Sequence, residues 1–168
     1  VILSDEPCII ENVPDISDVS ISLRILYEMG ASVLTVGKNA FKIDATKINN
    51  YCVPYESARQ MRASYYFLGA LLGKFHRARV SMPGGCPLGD RPIDQHLKAF
   101  TALGAKCNLD HGMIDVSADD LRGNQIYLDV VSVGATMNAI LAAVKAKGLT
   151  VIENAAKEPH IVDLANFL

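Results

Sequence analysis

Apolar residues in the first part of the chain follow a helical spacing and then an alternating one. The helical pattern runs up to Gly30, which predicts a helix that ends at this glycine. Its apolar positions are Val19, Leu23 and Leu26. Apolar and polar residues then alternate over residues 31–36, a turn is predicted at residues 37–39, and residues 41–43 form the returning strand. The pattern predicts a helix followed by a β-hairpin.

The same succession recurs further along the chain. A long helix is predicted from about Tyr55 to Leu72, followed by a strand over residues 77–82. Another helix then ends at Gly104, and a second hairpin turns at residues 110–112. The apolar positions of these helices are Met61, Tyr65, Leu68 and Leu72, and then Leu97, Phe100 and Leu103. Helices and strands in this alternation predict an α/β domain with mixed sheets.

The last third of the chain predicts four further elements. They are a short strand over residues 125–128, a helix over 134–147, a strand over 150–152 and a helix from Pro159 onward. The helix over 134–147 carries small or apolar residues on almost every side. Because a helix that is apolar all round is usually buried all round, we expect helices inside the domain and sheets outside.

Short sequences recur at an interval of about 71 to 74 residues, or at twice that interval. Ile10-Glu11-Asn12 returns as Ile152-Glu153-Asn154, Met29-Gly30-Ala31 returns as Leu103-Gly104-Ala105, and Arg62-Ala63-Ser64 corresponds to Gly134-Ala135-Thr136. The interval is too long for the small solenoid repeats. We therefore expect about two and a half copies of one supersecondary unit.

Composition and charge exclude several classes of protein. The 168 residues fit one domain, and half of them are hydrophobic. Lys and Arg number 16 against 18 Asp and Glu, without the basic excess of a nucleic-acid-binding protein. The longest uncharged stretch, residues 130–144, is too short and too polar to cross a bilayer, and the absence of a basic-then-apolar leader pattern gives no reason to expect secretion. We expect a cytoplasmic protein without nucleic-acid or membrane partners.

Cysteine and histidine spacing predicts neither a disulfide scaffold nor a metal site. Four cysteines, Cys8, Cys52, Cys86 and Cys107, are widely and irregularly spaced and form no C-x-x-C pair. The four histidines make no metal-binding pattern, so we expect no metal and no other cofactor. The chain begins at Val1 rather than Met, from which we expect a piece of a longer protein.

The segment from Met82 to Pro92 holds the first candidate for chemistry. Its three glycines and three prolines exclude a helix or a central strand, which predicts a loop between a strand and a helix. Such loops commonly carry reactive groups in α/β proteins, so Cys86 is a candidate reactive thiol. Arg91 would favour its thiolate form and clamp an anion, whereas Asp90 would oppose ionisation. An incidental thiol and a solvated arginine explain the same residues, and the residue types alone do not decide.

Four other polar residues have both a functional and a structural interpretation. Arg62, in a predicted helix rich in apolar residues, would reach a ligand or extend along the surface to water. Ser132 would cap the helix that follows it, and the free amides there would also suit a phosphate. Asp94 begins a predicted helix in the same way, and His96 is a candidate to face a cleft. For each of these, a structural role is the commoner outcome.

Four segments resemble the UDP-N-acetylglucosamine enolpyruvyl transferase family, part of the EPSP synthase-like group, in the same order along the chain. They are Met61–Ser64, Pro83–Pro92 with Asp94 and His96 beyond, Val131–Thr136 and Ile152–Pro159. The resemblance extends over essentially the whole chain. It implies an inside-out α/β barrel lobe built from βαβαββ units, of which residues 1–168 form an incomplete single lobe. A partner lobe and an N-terminal segment with a Lys-Asn pair would then lie outside the chain.

The resemblance implies transfer of the enolpyruvyl group of phosphoenolpyruvate to the 3-hydroxyl of UDP-N-acetylglucosamine, with loss of phosphate. In the family this is the first committed step of peptidoglycan synthesis, which links it to cell wall, cell shape and cell division. By match, Cys86 would be the catalytic proton donor, the thiol that forms a phosphoenolpyruvate adduct and the target of fosfomycin. Arg62 would contact the nucleotide sugar.

Two further segments would bind substrate by the same match. The first segment would surround the uridine end and consists of Arg91, Pro92, Ile93, Asp94 and Gln95. Arg91 would also lie near the phosphate of phosphoenolpyruvate. The second segment would contact the diphosphate and consists of Val130, Val131, Ser132 and Val133. The family's common lysine in the second segment is Val130 here, which leaves one charge contact unsupported. A frequent tryptophan is replaced by Tyr66.

Three rival interpretations remain open from the sequence. A shikimate-phosphate enolpyruvyl transferase has the same chemistry, but the Pro-Gly-Gly-Cys loop argues against it. An inactive nucleotide-sugar-binding lobe is the second, because half of an active site is expected to bind without turnover. A thiol sensor at Cys86 is the third and would need a resolving thiol such as Cys107. We also expect the chain by itself to self-associate over the surface that a partner lobe would cover.

Overall fold

The computed structural model describes residues 1–82 and 93–168, and residues 83–92 lie outside the described part. The helices are α1 (Ser17–Glu28), α2 (Tyr55–Gln60), α3 (Tyr66–Phe75), α4 (Asp94–Ala102), α5 (Val133–Ala143) and α6 (Pro159–Phe167). The strands are β1 (Cys8–Ile10), β2 (Ser32–Gly37), β3 (Ala40–Asp44), β4 (Arg77–Ser81), β5 (Lys106–Asp110), β6 (Met113–Ser117), β7 (Gln125–Tyr127) and β8 (Val151–Glu153). No helix within the described residues is both long and apolar enough to cross a membrane.

Two three-stranded antiparallel sheets share one topology. Their strand orders are β1-β3-β2 and β4-β6-β5, so the second strand of each hairpin lies in the middle. In the first sheet Ile43 is paired with a residue on each neighbouring strand, and Val116 occupies the same place in the second. β7 and β8 pair in parallel. Both predicted hairpins and the mixed α/β class are confirmed.

The internal repeat is visible in the backbone as well as in the sequence. Left-handed backbone conformations recur at intervals of 72 to 74 residues, and once at 142 residues. The pairs, with their φ angles, are Gly30 (104°) and Gly104 (96°), Asn39 (56°) and His111 (47°), His76 (55°) and Gly148 (92°), and Asn12 (56°) and Asn154 (54°). Since few residues adopt this conformation by chance, the matched positions confirm that one structural unit is repeated.

Helices α3 and α5 pack closely against each other. Seven of the ten residues of α3 are buried, and α3 packs against α5 on one side and β4 on the other. Glycine permits this contact, because a Cβ on Gly69 would lie 2.6 Å from the carbonyl oxygen of Asn138. A Cβ on Gly73 would lie 2.9 Å from the carbonyl oxygen of Leu141. The two helix backbones therefore touch directly, as expected for helices enclosed by other elements.

Helix α5 is less enclosed than its composition predicts. None of its residues is exposed, but six of the eleven are half-buried rather than buried. It also ends at Ala143, whereas the sequence pattern continues to Lys147. The chain leaves the helix because Lys147 pairs with a neighbouring segment: its N–H donates to Leu121 O at 2.9 Å, and its carbonyl accepts from Gly123 N–H at 2.8 Å.

The prediction of one long helix from Tyr55 to Leu72 is wrong. Met61 is extended, with φ −128° and ψ 120°, and divides the segment into α2, a 3-10 turn at Arg62–Tyr65, and α3. The Met61 side chain is buried, and the Ser22 hydroxyl donates to its sulfur at 3.1 Å. Burial of this side chain against α1 holds the backbone in the extended conformation. The break lets Arg62 start a new turn instead of lying mid-helix.

Candidate functional site

The cysteine-containing loop itself lies outside the described residues. This applies to Cys86, Arg91 and Pro92, so their proposed roles stay predictions. The elements on either side are described, since β4 ends at Ser81 and α4 begins at Asp94. The segment therefore connects a strand to a helix, as its composition predicts.

The first turn of α4 is fastened to the segment that leads into α5. Ile93 precedes the helix and is buried, whereas Asp94 is exposed. Gln95 is buried and makes three hydrogen bonds: its Nε2 donates to Asp94 Oδ2 at 2.8 Å and to Asp129 Oδ2 at 3.2 Å, and its Oε1 accepts from Asp129 N–H at 2.8 Å. Gln95 thus joins two segments to which the family resemblance gives a role in binding the same ligand.

Asp129 is held in its ionised form at the end of that bridge. The Lys98 ammonium donates to Asp129 Oδ1 at 2.6 Å. The hydrogen bond from Lys98, followed by the one from Gln95, lowers the pKa of Asp129 from its ordinary value. Hydrogen bonds from Lys98 and Gln95 hold the Asp129 carboxylate in place, and this restrains the backbone that continues into Val130.

The segment before α5 presents two apolar side chains to solvent and a capping serine. Val130 and Val131 are 58% and 60% exposed, and exposed apolar surface of this kind is typical of contact sites. The Ser132 hydroxyl accepts from Ala135 N–H at 3.3 Å, which confirms its predicted capping role. Val133 is the first helical residue and is half-buried. The remaining N–H groups of this first turn create a partial positive charge at the surface.

The turn that carries Arg62 lies against the start of α5. Arg62 is half-buried in the 3-10 turn, three residues before Tyr65. A Cβ on Gly134 would lie 3.0 Å from both the Tyr65 hydroxyl and His96 Cε1. Tyr65 and His96 also meet edge to face, with 5.1 Å between ring centroids. The Arg62 turn, the start of α4 and the start of α5 therefore converge.

A buried polar network lies beneath this convergence. Asn138 Nδ2 bonds His96 Nδ1 at 2.9 Å and Tyr65 O at 3.1 Å, while its Oδ1 accepts from Gly69 N–H at 2.9 Å. Burial lowers the pKa of His96 to about 4, so the imidazole is neutral near neutral pH. His96 is 6% exposed, so the sequence-based expectation that it faces a cleft is wrong. Asn138 was missed, although a lone amide in an apolar helix is the signal that points to it.

A cavity of about 530 Å³ opens beside Val131. Its other lining residues are Asn154, Ala155, Lys157 and Glu158. Asn154 is fixed there, because its Nδ2 donates to Leu128 O at 2.9 Å. The motif over residues 152–159 resembles a family signature but carries no predicted binding residue. The cavity shows that this motif and the predicted diphosphate segment form one surface.

Comparisons with known proteins identify the family of the chain. The family model for EPSP synthase (3-phosphoshikimate 1-carboxyvinyltransferase) matches residues 1–168. The chain belongs to the EPSP synthase family. Among curated relatives, UDP-N-acetylglucosamine 1-carboxyvinyltransferase 3 of Caldanaerobacter subterraneus subsp. tengcongensis is 55% identical over 167 residues, or 99% of this chain and 40% of the relative. UDP-N-acetylglucosamine 1-carboxyvinyltransferase of Clostridium botulinum is 55% identical over 161 residues, or 96% of this chain and 39% of the relative.

Solved structures of the family share the fold at low sequence identity. The enolpyruvyl transferase NikO from Streptomyces tendae superposes with a TM-score of 0.84 at 24% identity, covering 98% of this chain and 39% of that one. EPSP synthase from Acinetobacter baumannii superposes with a TM-score of 0.71 at 18% identity, covering 94% and 37%. This chain therefore spans about two fifths of the length of the curated relatives it matches.

Proposed function

We propose that this chain is one lobe of an enzyme that transfers the enolpyruvyl group of phosphoenolpyruvate to the 3-hydroxyl of UDP-N-acetylglucosamine. The observation that carries the proposal is the agreement among curated relatives, which are 52% to 55% identical over nearly the whole chain and are named for this activity. The family model, which covers the same residues, describes carboxyvinyl transfer to a different acceptor. The reaction class is therefore common to both, and the relatives' names favour the nucleotide sugar.

Cys86 is the proposed general acid. Addition of the sugar hydroxyl across the enol double bond of phosphoenolpyruvate needs a proton delivered to the methylene carbon, and a cysteine on a loop can be placed against carbon. Phosphate and one proton of the resulting methyl group then leave, which restores the double bond. The same thiol would form the phosphoenolpyruvate adduct and react with fosfomycin. Arg91 is proposed to offset the phosphate charge of phosphoenolpyruvate, since a guanidinium presents a rigid fork of donors.

The nucleotide sugar is proposed to lie across the three converging segments. Arg62 would contact the sugar, and Pro92, Ile93, Asp94 and Gln95 would surround the uridine end. Support comes from the hydrogen bonds that join Gln95 to Asp129, because they hold the first turn of α4 next to the segment that leads into α5.

The diphosphate is proposed to lie at the start of α5, over Val130, Val131, Ser132 and Val133. Free N–H groups and the helix dipole favour an anion there. Val130 supplies no charge, but Lys157 lines the cavity beside Val131 and would add a cation on this side.

The proposal extends to the architecture of the lobe and to the pathway and cellular compartment of the enzyme. The enclosed α3–α5 pair and the repeated unit support an inside-out barrel lobe that a partner lobe faces across the substrate. The activity would belong to peptidoglycan synthesis in the cytoplasm, with consequences for cell shape and cell division. Because the chain spans 40% of its relatives, the alternative is that residues 1–168 alone bind the nucleotide sugar without turnover.

Release of inorganic phosphate from phosphoenolpyruvate tests the proposal directly. The full-length protein should release phosphate when UDP-N-acetylglucosamine is added and should not do so with shikimate 3-phosphate. The matched control is Cys86→Ser, which keeps the loop but removes the acid, and it should lower the rate by at least about a hundredfold. Release with shikimate 3-phosphate alone would overturn the assigned acceptor.

A further inference from the structure

The three segments proposed to bind the nucleotide sugar meet at one buried side chain, that of Asn138. We propose that Asn138 is a positioning residue that sets the distance between the Arg62 turn, the start of α4 and the start of α5. The inference rests on the proposed function, since it names a further residue of the same site. Asn138 itself lies inside the protein, with 0% of its surface exposed, and acts through its neighbours.

Every hydrogen-bonding position of the Asn138 amide has a partner except one lone pair. The Gly69 N–H donates to Oδ1 at 2.9 Å, which fixes the orientation of the amide because only the oxygen can accept there. The two Nδ2 protons are then left for Tyr65 O at 3.1 Å and His96 Nδ1 at 2.9 Å. Asn138 lies on α5, and its one side chain is thus hydrogen-bonded to α3, to the Arg62 turn and to α4.

The same amide determines the tautomer of His96. Because Asn138 Nδ2 donates, His96 Nδ1 must accept, and the ring proton is carried by Nε2. The low pKa of the buried ring agrees with a neutral imidazole. A protonated His96 would present N–H to N–H across 2.9 Å and break the contact. The network therefore has one protonation state and one geometry.

Close packing around the network leaves no room for adjustment. A Cβ on Gly134 would lie 3.0 Å from His96 Cε1 and from the Tyr65 hydroxyl, so both rings already touch the backbone of α5. Loss of the Asn138 amide would remove its hydrogen bonds to the Tyr65 carbonyl and to the His96 ring in a buried space, and both groups would move.

Such movement would reach the proposed ligand contacts through short stretches of chain. Arg62 lies three residues before the Tyr65 carbonyl, and Gln95 is adjacent to His96. Displacement of binding groups by about 1 Å is enough to weaken a site by one or two orders of magnitude. Asn138 should therefore affect ligand affinity without touching the ligand.

Calorimetric titration of the full-length protein with UDP-N-acetylglucosamine tests this role. Asn138→Ala should raise the dissociation constant by about tenfold or more, because three supports of the site are released together. Asn138→Asp keeps the shape and can still accept from Gly69, but it cannot donate to Tyr65. It should weaken binding to a similar extent at neutral pH.

The control is Leu141→Ala, which removes packing between α5 and α3 one turn beyond Asn138. It should lower the melting temperature as Asn138→Ala does, yet change the dissociation constant by less than about twofold. Selective nitrogen labelling of histidine gives a second readout: His96 Nδ1 should be unprotonated in the wild type and protonated in Asn138→Asp.

The outcomes separate the two proposals. Wild-type protein that does not bind the nucleotide sugar would overturn the proposed function and this inference with it. Normal wild-type binding, together with equal weakening in Asn138→Ala and Leu141→Ala, would overturn the positioning role alone. Wild-type affinity in Asn138→Asp would also overturn it, because the two donated hydrogen bonds would then be dispensable.

Discussion

At the scale of single residues, buried polar side chains concentrate where α4 and α5 begin. Four such side chains in the described residues belong to these two helices, and each is hydrogen-bonded. They are Gln95, His96, Thr136 and Asn138. Burial of a polar group costs free energy unless its bonds are made, so such groups favour one arrangement over others. These hydrogen bonds therefore fix the conformation of the protein most tightly where the ligand is proposed to bind.

His96 should make the stability of the protein depend on pH. Its pKa is lowered to about 4 from 6.5, so the unfolded state binds more protons between these values. Stability is then fully present above the unfolded pKa and falls as the pH is lowered towards the folded pKa. We expect a loss of about 2 kcal/mol of unfolding free energy between about pH 7 and about pH 5 from this one group.

Urea unfolding at several pH values, with two histidine variants, checks this expectation. His96→Gln should flatten the pH dependence in this window. His160→Gln is the matched control, because His160 is a histidine exposed to solvent on α6. It should keep the wild-type slope. An unchanged slope in His96→Gln would show that another group is responsible.

At the scale of helices and strands, the contact between α3 and α5 depends on glycine. Gly69 faces the backbone of α5, and a Cβ there would lie 2.6 Å from the Asn138 carbonyl. Backbone cannot rotate away as a side chain does, so the helices would have to separate. Gly69→Ala should therefore lower the free energy of unfolding by about 1–3 kcal/mol.

Chemical denaturation of Gly69→Ala and Gly37→Ala compares two glycines that differ in their surroundings. A Cβ on Gly37 would lie 3.5 Å from Ala40 Cβ, an ordinary contact, so Gly37→Ala should change stability by less than about 0.5 kcal/mol. Equal effects of the two substitutions would mean that helix contact is not the cause.

The sequence predicted both hairpins and the repeat because turn residues and apolar spacing act locally. Gly30 and Gly104 mark helix ends by their own backbone preference, which needs no knowledge of the rest of the fold. The break at Met61 could not be predicted, since no glycine or proline lies there and apolar spacing continues through it. The break results from a tertiary contact between Met61 and Ser22 on α1, and the local sequence pattern carries no information about such a contact.

The candidate site could be predicted in part for the same reason. Motif resemblance assigned Gln95 and Ser132 to a ligand, and the structure places their segments together. It did not indicate that Gln95 is hydrogen-bonded to Asp129. Nor did it indicate that the buried Asn138 side chain is hydrogen-bonded to both the Arg62 turn and α4. Both facts depend on residues more than thirty positions apart, and a single sequence carries no signal for such pairs.

At the scale of the whole molecule, apolar surface is gathered near both ends of the chain. Two neighbouring cavities, of about 220 and 580 Å³, share Val1, Leu3, Phe167 and Leu168 in their linings. Phe167 is 60% exposed, and Ile9 at the second cavity is 59% exposed. Contiguous apolar surface of this kind favours association in water.

The chain by itself should therefore form oligomers as its concentration rises. Burial of an exposed phenylalanine contributes about 1.5–3 kcal/mol, so Phe167→Ser should weaken self-association by about tenfold or more. Tyr27→Ser is the matched control, because Tyr27 is an aromatic residue that is 70% exposed and lies outside both cavities. Light scattering over a range of concentrations gives the average mass of each variant. If the wild-type chain stays monomeric at every concentration, or if Tyr27→Ser reduces association as much as Phe167→Ser, the apolar surface around Phe167 is not an association surface.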